Sequence, residues 1–187
     1  MDYKEYGPLA YLVGRWQSQG WTGENRAPDE DRQVENTKFR QEMTFEPVGE
    51  IENHEQLLMA LEYKTRAWEE GDEDNPFHQE VGYFLWDAAN KQVMKTFVIP
   101  RGISVNTGGT AEADAKKFTL AAKVGSDTYG ICSNIFLDEE FKSMGYEVTF
   151  EQVDSHTLSY YEDTLIKIKG QTDIFHHIEK NILKKQV

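Results

Sequence analysis

Strict alternation of apolar and polar residues, repeated along most of the chain, limits the fold more than any other feature. In residues 146–150, Tyr146, Val148 and Phe150 share one face and polar residues share the other. Successive side chains of a strand point to opposite faces of a sheet, so a period of two indicates a half-buried strand. The same pattern is present in four further segments, 38–45, 57–67, 93–99 and 158–168.

Short turn sequences separate these segments, and they include "GDEDNP" (71–76), "DAANK" (87–91), "NTGG" (106–109), "VGSD" (124–127) and "VDSH" (153–156). The spacing predicts about ten short antiparallel strands with little room for helix, which is an all-β meander. Closing such a sheet removes its exposed edges. We therefore expect residues 1–187 to form one domain, a single closed antiparallel up-and-down β-barrel of the calycin or lipocalin-like type.

Two segments depart from the alternation. The stretch "PLAYLV" (8–13) follows Gly7 and predicts a short N-terminal helix that plugs one end of the barrel. Residues 24–36, "ENRAPDEDRQVEN", are charged and have no apolar period, so we expect a mobile surface loop there.

Charge and composition exclude several classes of partner. The net charge is −13, which argues against nucleic acid and anionic membranes, because phosphate binding needs a concentrated basic face. Residues 1–16 lack the pattern of a secretory signal, and no apolar run approaches the length of a membrane helix. The one cysteine, Cys132, excludes an internal disulfide, and a reducing cytoplasm is the expected location. A homodimer is left open.

Three of the five histidines are readily placed. His54 and His156 lie in polar turn sequences and are expected at the surface. His78 alternates with Glu80, Gly82 and Phe84, which predicts that it faces the barrel interior. A hydrogen-bonded core histidine is the ordinary interpretation of such a position.

The other two, His176 and His177, are adjacent near the C-terminus, so on a strand one faces inward and the other outward. Phe175 shares a face with His177 and Ile174 shares one with His176, and the pattern alone does not choose between them. A single histidine without cysteine or carboxylate partners at fixed spacing makes a poor zinc site. One axial histidine is enough for haem iron, because the porphyrin supplies the other four ligands.

Several motifs together resemble the nitrobindin-like haem-binding β-barrels, also called THAP4-type or fatty-acid-binding-protein-like domains. The opening "PLAYLVGRWQSQG" resembles the family's Gly-x-Trp-x-Gly-x-Gly pattern, with Ser18 where a glycine is usual. "FHQEVGYFLWD" is similar to a His-x-Glu-x-Gly strand, "FVIPRGISVNTGG" to a Pro-Arg-Gly hairpin, and "FHHIEKNILKK" to the last strand, which supplies the haem ligand. The resemblance runs through most of the chain.

The resemblance implies haem b as cofactor and His177 as the ligand of the iron, since Ile178 follows it. By the same resemblance, His78 approaches the opposite side of the pocket. The residues expected to contribute to cofactor binding besides His177 are His78, Trp16, Gly20 and Phe84. The implied activity is binding of nitric oxide and isomerisation of peroxynitrite to nitrate at ferric haem, and whether the chain is such an enzyme is left open.

Two other interpretations of the barrel remain. In the first, a cofactor-free carrier holds a fatty-acid-like or other apolar molecule, and His177 is hydrogen-bonded to a side chain or turned to solvent. In the second, the barrel is filled with side chains and serves only protein contacts. The absence of a sizeable cavity would favour the filled barrel over haem binding and over the carrier.

Overall fold

The alternating segments form one sheet of antiparallel strands, seen in a computed structural model that describes residues 3–186. In this part of the chain the strands are β1 (Gly14–Ser18), β2 (Gly23–Pro28), β3 (Val34–Asn53), β4 (Gln56–Glu69), β5 (His78–Asp87), β6 (Gln92–Ile99), β7 (Ile103–Thr110), β8 (Lys117–Lys123), β9 (Ile131–Cys132), β10 (Phe141–Asp154), β11 (Thr157–Ile168) and β12 (Phe175–Lys185). A 3-10 helix (Lys4–Leu12) precedes them, and α1 (Ile135–Glu140) lies between β9 and β10.

The sheet closes on itself into a barrel. From β3 to β8 each strand pairs with the next along the chain, then β8 pairs with β10, and β10 to β12 continue the order. Strands β1 and β2 lie end to end between β12 and β3 and pair with both. They therefore share one of ten positions around the ring, while β9 adds a short pairing to β7. The predicted closed antiparallel up-and-down barrel is confirmed.

The N-terminal helix closes one end of the barrel. It begins at Lys4, earlier than the predicted Pro8, and Gly7 (φ 55°) kinks it. Leu9 and Leu12 are fully buried in the main core. A side chain at Gly7 would meet the Trp86 ring at 2.5 Å, so glycine allows the helix to lie against that ring.

The prediction of a loop at residues 24–36 is wrong. Strand β2 and the first residues of β3 occupy most of the segment and are joined by a turn around Asp29. The strands of this segment are joined by opposite charges on the outer face rather than marked by alternating apolar residues. Glu24 lies between Lys38 at 3.0 Å and Lys180 at 2.7 Å. Cross-strand ion pairs hold strands together without the alternation that identifies a strand in a sequence.

Aromatic rings fill the half of the barrel next to the helix. Phe84 contacts Phe45, Tyr63 and Phe150 with ring centroids 5.2–5.4 Å apart. These edge-to-face contacts are the arrangement that aromatic quadrupoles favour. The packed half confines any cavity to the other half of the barrel.

Candidate functional site

A cavity of about 440 Å³ occupies the other half of the barrel. Its apolar walls include side chains of β6, β7, β9, α1, β10 and β11, namely Phe97, Ile99, Ile103, Val105, Ile131, Leu137, Phe141 and Ile166. Residues of the β2–β3 turn and exposed Arg101 also border the space. Titratable side chains line the rest of it: His78, Glu80, Tyr146, Glu162, His177 and Glu179. The cavity is within the size range of small-molecule and cofactor sites, and it excludes the interpretation of a filled barrel.

The two adjacent histidines of β12 point to opposite sides of the barrel wall. His177 borders the cavity, and 26% of its side chain is exposed. The side chain of His176 is 53% exposed on the outside, where its Nδ1 lies 2.7 Å from Asp163 Oδ2. Register explains the difference, because Phe175 is a buried core residue and His177 shares its face.

The His177 ring is held by two oxygens. Its Nε2 lies 3.0 Å from Asn25 Oδ1 and 3.5 Å from Glu179 Oε1. Both oxygens accept hydrogen bonds, so Nε2 carries the hydrogen and donates it. Burial acts to lower the pKa of His177, but the hydrogen bond to Glu179 together with the charges of Glu179 and Glu162 outweighs burial and raises this pKa.

His78 has the same relation to Glu80 on β5 as His177 has to Glu179 on β12. In each pair the carboxylate follows two residues later on the same strand face, and His78 Nε2 lies 3.3 Å from Glu80 Oε1. Burial acts to lower the pKa of His78, but Glu80 and the surrounding carboxylates raise it to about 9. His78 is therefore protonated at neutral pH, as the charge partner of a buried carboxylate.

Lys95 is the most deeply buried charge at the site, with 1% of its side chain exposed. Its Nζ lies 2.9 Å from Glu80 Oε2. The two groups form an ion pair, although their orientation is not that of a hydrogen bond. Coulomb attraction at this distance does not depend on that orientation. Burial acts to raise the pKa of Glu80, but Lys95 and His78 outweigh it and lower the pKa to about 2.

A directed pair of hydrogen bonds links Lys95 to Glu162. Lys95 Nζ donates to the Tyr146 hydroxyl at 2.9 Å, and that hydroxyl donates to Glu162 Oε2 at 2.6 Å. Burial raises the pKa of Glu162 to about 7, although Lys95 attracts the carboxylate. Glu162 is thus the carboxyl of the cavity that exchanges its proton near neutral pH.

Four residues of the site, Lys95, Tyr146, Glu162 and Glu179, are not among those predicted to bind the cofactor. A signal for them was present, because each occupies an inward position of an alternating strand, as Lys95 does between Val93 and Phe97. Charged residues at inward positions of a strand indicate either a solvated lumen or a buried ion network. Only the pairing of charged side chains from different strands distinguishes these two cases, and the sequence of one strand does not reveal it.

The remaining predicted site residues lie away from the cavity wall. Trp16 is fully buried in the main core and donates from Nε1 to the Leu12 carbonyl at 2.6 Å. Phe84 belongs to the aromatic core, and Gly20 (φ 76°) lies in the bend after β1. None of these three borders the cavity, so their part in cofactor binding stays a prediction that their placement does not support.

A family model described as a THAP4-like, heme-binding beta-barrel domain matches residues 5–185, nearly the whole chain. The chain belongs to this family. A haem-binding family barrel implies a small-molecule ligand, and the cavity provides the space for one. The crystal structure of Rv2717c from M. tuberculosis is similar, with a TM-score of 0.63 and 18% identity, over 96% of this chain and 95% of that chain. This likeness supports the fold alone. No curated protein matches the chain.

The side chains around the cavity fit the family's cofactor. A haem needs apolar walls for the porphyrin and one side chain that can ligate iron, and the cavity offers both. The competing feature is the hydrogen on His177 Nε2, because ligation through Nε2 requires that the ring leave Asn25 Oδ1. Within residues 3–186, no cluster of three or more histidine, cysteine or carboxylate groups forms a metal site without a porphyrin. No helix in the same residues has the length and apolar character needed to cross a membrane.

Proposed function

We propose that the chain binds haem b in the barrel cavity, where His177 would ligate the iron. The observation that carries the proposal is the orientation of this one side chain. Of two adjacent histidines, His177 borders the cavity, while His176 is paired with Asp163 on the outside. Family membership supports the choice of cofactor.

We further propose a reaction for the haem-loaded protein. Ferric haem, when bound, supplies a Lewis-acidic iron at which nitric oxide binds and peroxynitrite is isomerised to nitrate. The protein holds the ligating imidazole, surrounds the porphyrin with apolar side chains and restricts water. Protonated His78 and the paired carboxylates of Glu80 and Glu179 set the polarity of the cavity.

Hemin titration tests the binding proposal. Ferric haem added to the protein is expected to give a saturable Soret band of a histidine-ligated iron, and His177→Ala is expected to lose it. His176→Ala is the matched control, since it removes the same side chain from the outer face, and its spectrum is expected to equal that of the unaltered protein. An unchanged spectrum in His177→Ala would exclude His177 as the ligand.

Stopped-flow absorption tests the reaction separately. The haem-loaded protein is expected to accelerate the loss of peroxynitrite with nitrate as the product, measured by ion chromatography. If the protein binds haem but peroxynitrite decays at the rate of free buffer, the isomerase part is wrong and haem binding stands.

A cofactor-free carrier of an apolar small molecule is the second candidate, and one observation favours it. The Nε2 of His177 is already hydrogen-bonded to Asn25, the arrangement expected of a carrier. Native mass spectrometry of protein purified from its own host separates the two candidates by the mass of the bound ligand.

A further inference from the structure

We propose that the cavity, in the absence of haem, selects apolar ligands whose polar end is a protonated amine, and that Glu162 binds this end. The ligand class is therefore an alkylammonium or a related hydrophobic amine rather than a fatty acid. This inference goes beyond haem binding and does not require that His177 ligate iron.

The carboxylates around the cavity differ in whether a basic group pairs with them. Five carboxylates border the cavity. Asp29 and Glu30 belong to the β2–β3 turn, and of the three on the strands, Glu80, Glu162 and Glu179, two have basic partners. Glu80 is paired with Lys95 at 2.9 Å and with His78 at 3.3 Å, and Glu179 lies 3.5 Å from His177 Nε2. Throughout residues 3–186, no cationic group lies within ion-pair distance of Glu162. Among the three strand carboxylates, Glu162 is therefore the one whose charge a ligand can neutralise.

The hydrogen bonds of the Tyr146 hydroxyl run in one direction, from Lys95 to Glu162. Lysine has only donors, so the Tyr146 oxygen accepts from Lys95 and its single hydrogen points to Glu162 Oε2. No hydrogen bond from the described residues reaches the other oxygen, Oε1. Glu162 borders the cavity, so Oε1 is left as an acceptor for a ligand.

The apolar lining of the cavity determines the chemical character of the ligand's other end. The rest of the lining is mostly aliphatic and aromatic, with the side chains of Ile99, Ile103 and Ile131 among its members. An apolar chain is favoured there because its burial removes surface from water. The cavity therefore suits a molecule with one polar end at Glu162 and an apolar body.

A fatty acid is disfavoured by the same groups. Its carboxylate, placed at the polar part of the cavity, would meet Glu162 and Glu179, while the nearby cations Lys95 and His78 are paired with Glu80. Like charges in a poorly solvated cavity repel strongly. A fatty acid would have to bind in reverse, with its carboxylate near exposed Arg101 at the border of the cavity.

Displacement of Nile red, a neutral fluorescent probe, by decylammonium and by decanoate tests the inference on the full chain. Decylammonium is expected to displace the probe at a concentration about tenfold or more below that of decanoate, the difference made by a charge-assisted hydrogen bond. In Glu162→Gln this ratio is expected to fall to about one. Glu147→Gln is the control, because it removes the same charge from the exposed face of β10.

Two results would overturn the inference: decanoate binding at least as tightly as decylammonium, or an unchanged ratio in Glu162→Gln. If this variant does not fold, as judged by circular dichroism, NMR on the unaltered protein replaces it. Nuclear Overhauser effects are then expected between the methylene next to the ammonium and the Tyr146 ring, and effects only to Ile103 and other apolar wall residues would overturn the inference. Hemin titration of the same preparation reports on the haem proposal independently.

Discussion

Tyr146 donates a hydrogen bond of 2.6 Å to Glu162 and accepts one of 2.9 Å from Lys95, so the phenol fixes a lysine and a carboxyl of the barrel interior at defined positions. Because lysine cannot accept, the direction of both hydrogen bonds is set. A network of this kind is stable only while all its members are present, because a buried charge without its partner is costly.

Lys95→Met is expected to destabilise the fold by about 3–5 kcal/mol, because it leaves the Glu80 carboxylate buried with less compensation. The free energy of unfolding in urea measures the change. Lys64→Met is the control, since Lys64 is exposed and pairs with Glu62 on the outer face, and its midpoint is expected to shift little. The double variant with Glu80→Gln is expected to recover part of the loss. A Lys95→Met protein as stable as the unaltered one would contradict a stabilising role of the ion pair.

Stability is expected to fall between about pH 6.5 and pH 9 through His78. Its pKa is 6.5 in the unfolded chain and about 9 in the folded one, so its stabilisation is complete below pH 6.5 and is lost as the folded protein deprotonates. Thermal unfolding across this range measures the slope. In His78→Gln the slope is expected to flatten, and an equally steep slope in that variant would assign it to another group.

Glu162 is expected to reduce stability in a lower pH window. Its pKa rises from 4.5 to about 7 on folding, so the folded state retains a proton that the unfolded chain has already released. The contribution to stability is complete below pH 4.5 and is lost as the pH rises to about 7. Glu162→Gln is expected to remove this loss, so the variant gains stability over the unaltered protein between these values. Parallel curves for the two proteins would show that Glu162 does not titrate there.

Asn25→Ala is expected to strengthen haem binding about three- to tenfold, because ligation through His177 Nε2 no longer has to break the hydrogen bond to Asn25 Oδ1. Hemin titration measures the dissociation constant. Thr37→Val, which removes the acceptor for Asn25 Nδ2 at 3.3 Å and leaves Oδ1 in place, is the control. Weaker binding in Asn25→Ala would instead mean that Asn25 holds the ring in its ligating orientation.

Gly82→Ala is expected to destabilise the barrel by about 1–3 kcal/mol, because the added methyl must push neighbouring atoms aside. A Cβ at this position would lie 2.0 Å from the Thr96 carbonyl oxygen and 2.7 Å from Phe97 Cα on β6, where only glycine fits. Chemical unfolding measures the loss. Val81→Ala, an exposed neighbour on β5, is expected to change stability much less. Equal stability of the two variants would contradict the close approach.

The sequence by itself determined the barrel and the side of the wall that most residues face. Alternation of apolar and polar residues is a local property of a strand, so segments such as 158–168 were assigned from their own residues. The same rule placed His78 inward and required that His176 and His177 diverge. It failed at residues 24–36, where the pairing of Glu24 with Lys38 and Lys180 stabilises strands that carry no apolar signal.

Only the tertiary structure decided which inward groups meet. Lys95 lies on β6, Glu80 on β5, Tyr146 on β10 and Glu162 on β11, and closure of the sheet brings these side chains together. Alternation left the choice between His176 and His177 open, and before the structure only the family resemblance favoured His177. The burial of Phe175 set the face of the strand that turns inward. Contacts across a barrel join residues far apart in the chain, and the period of one strand contains no information about the strand opposite.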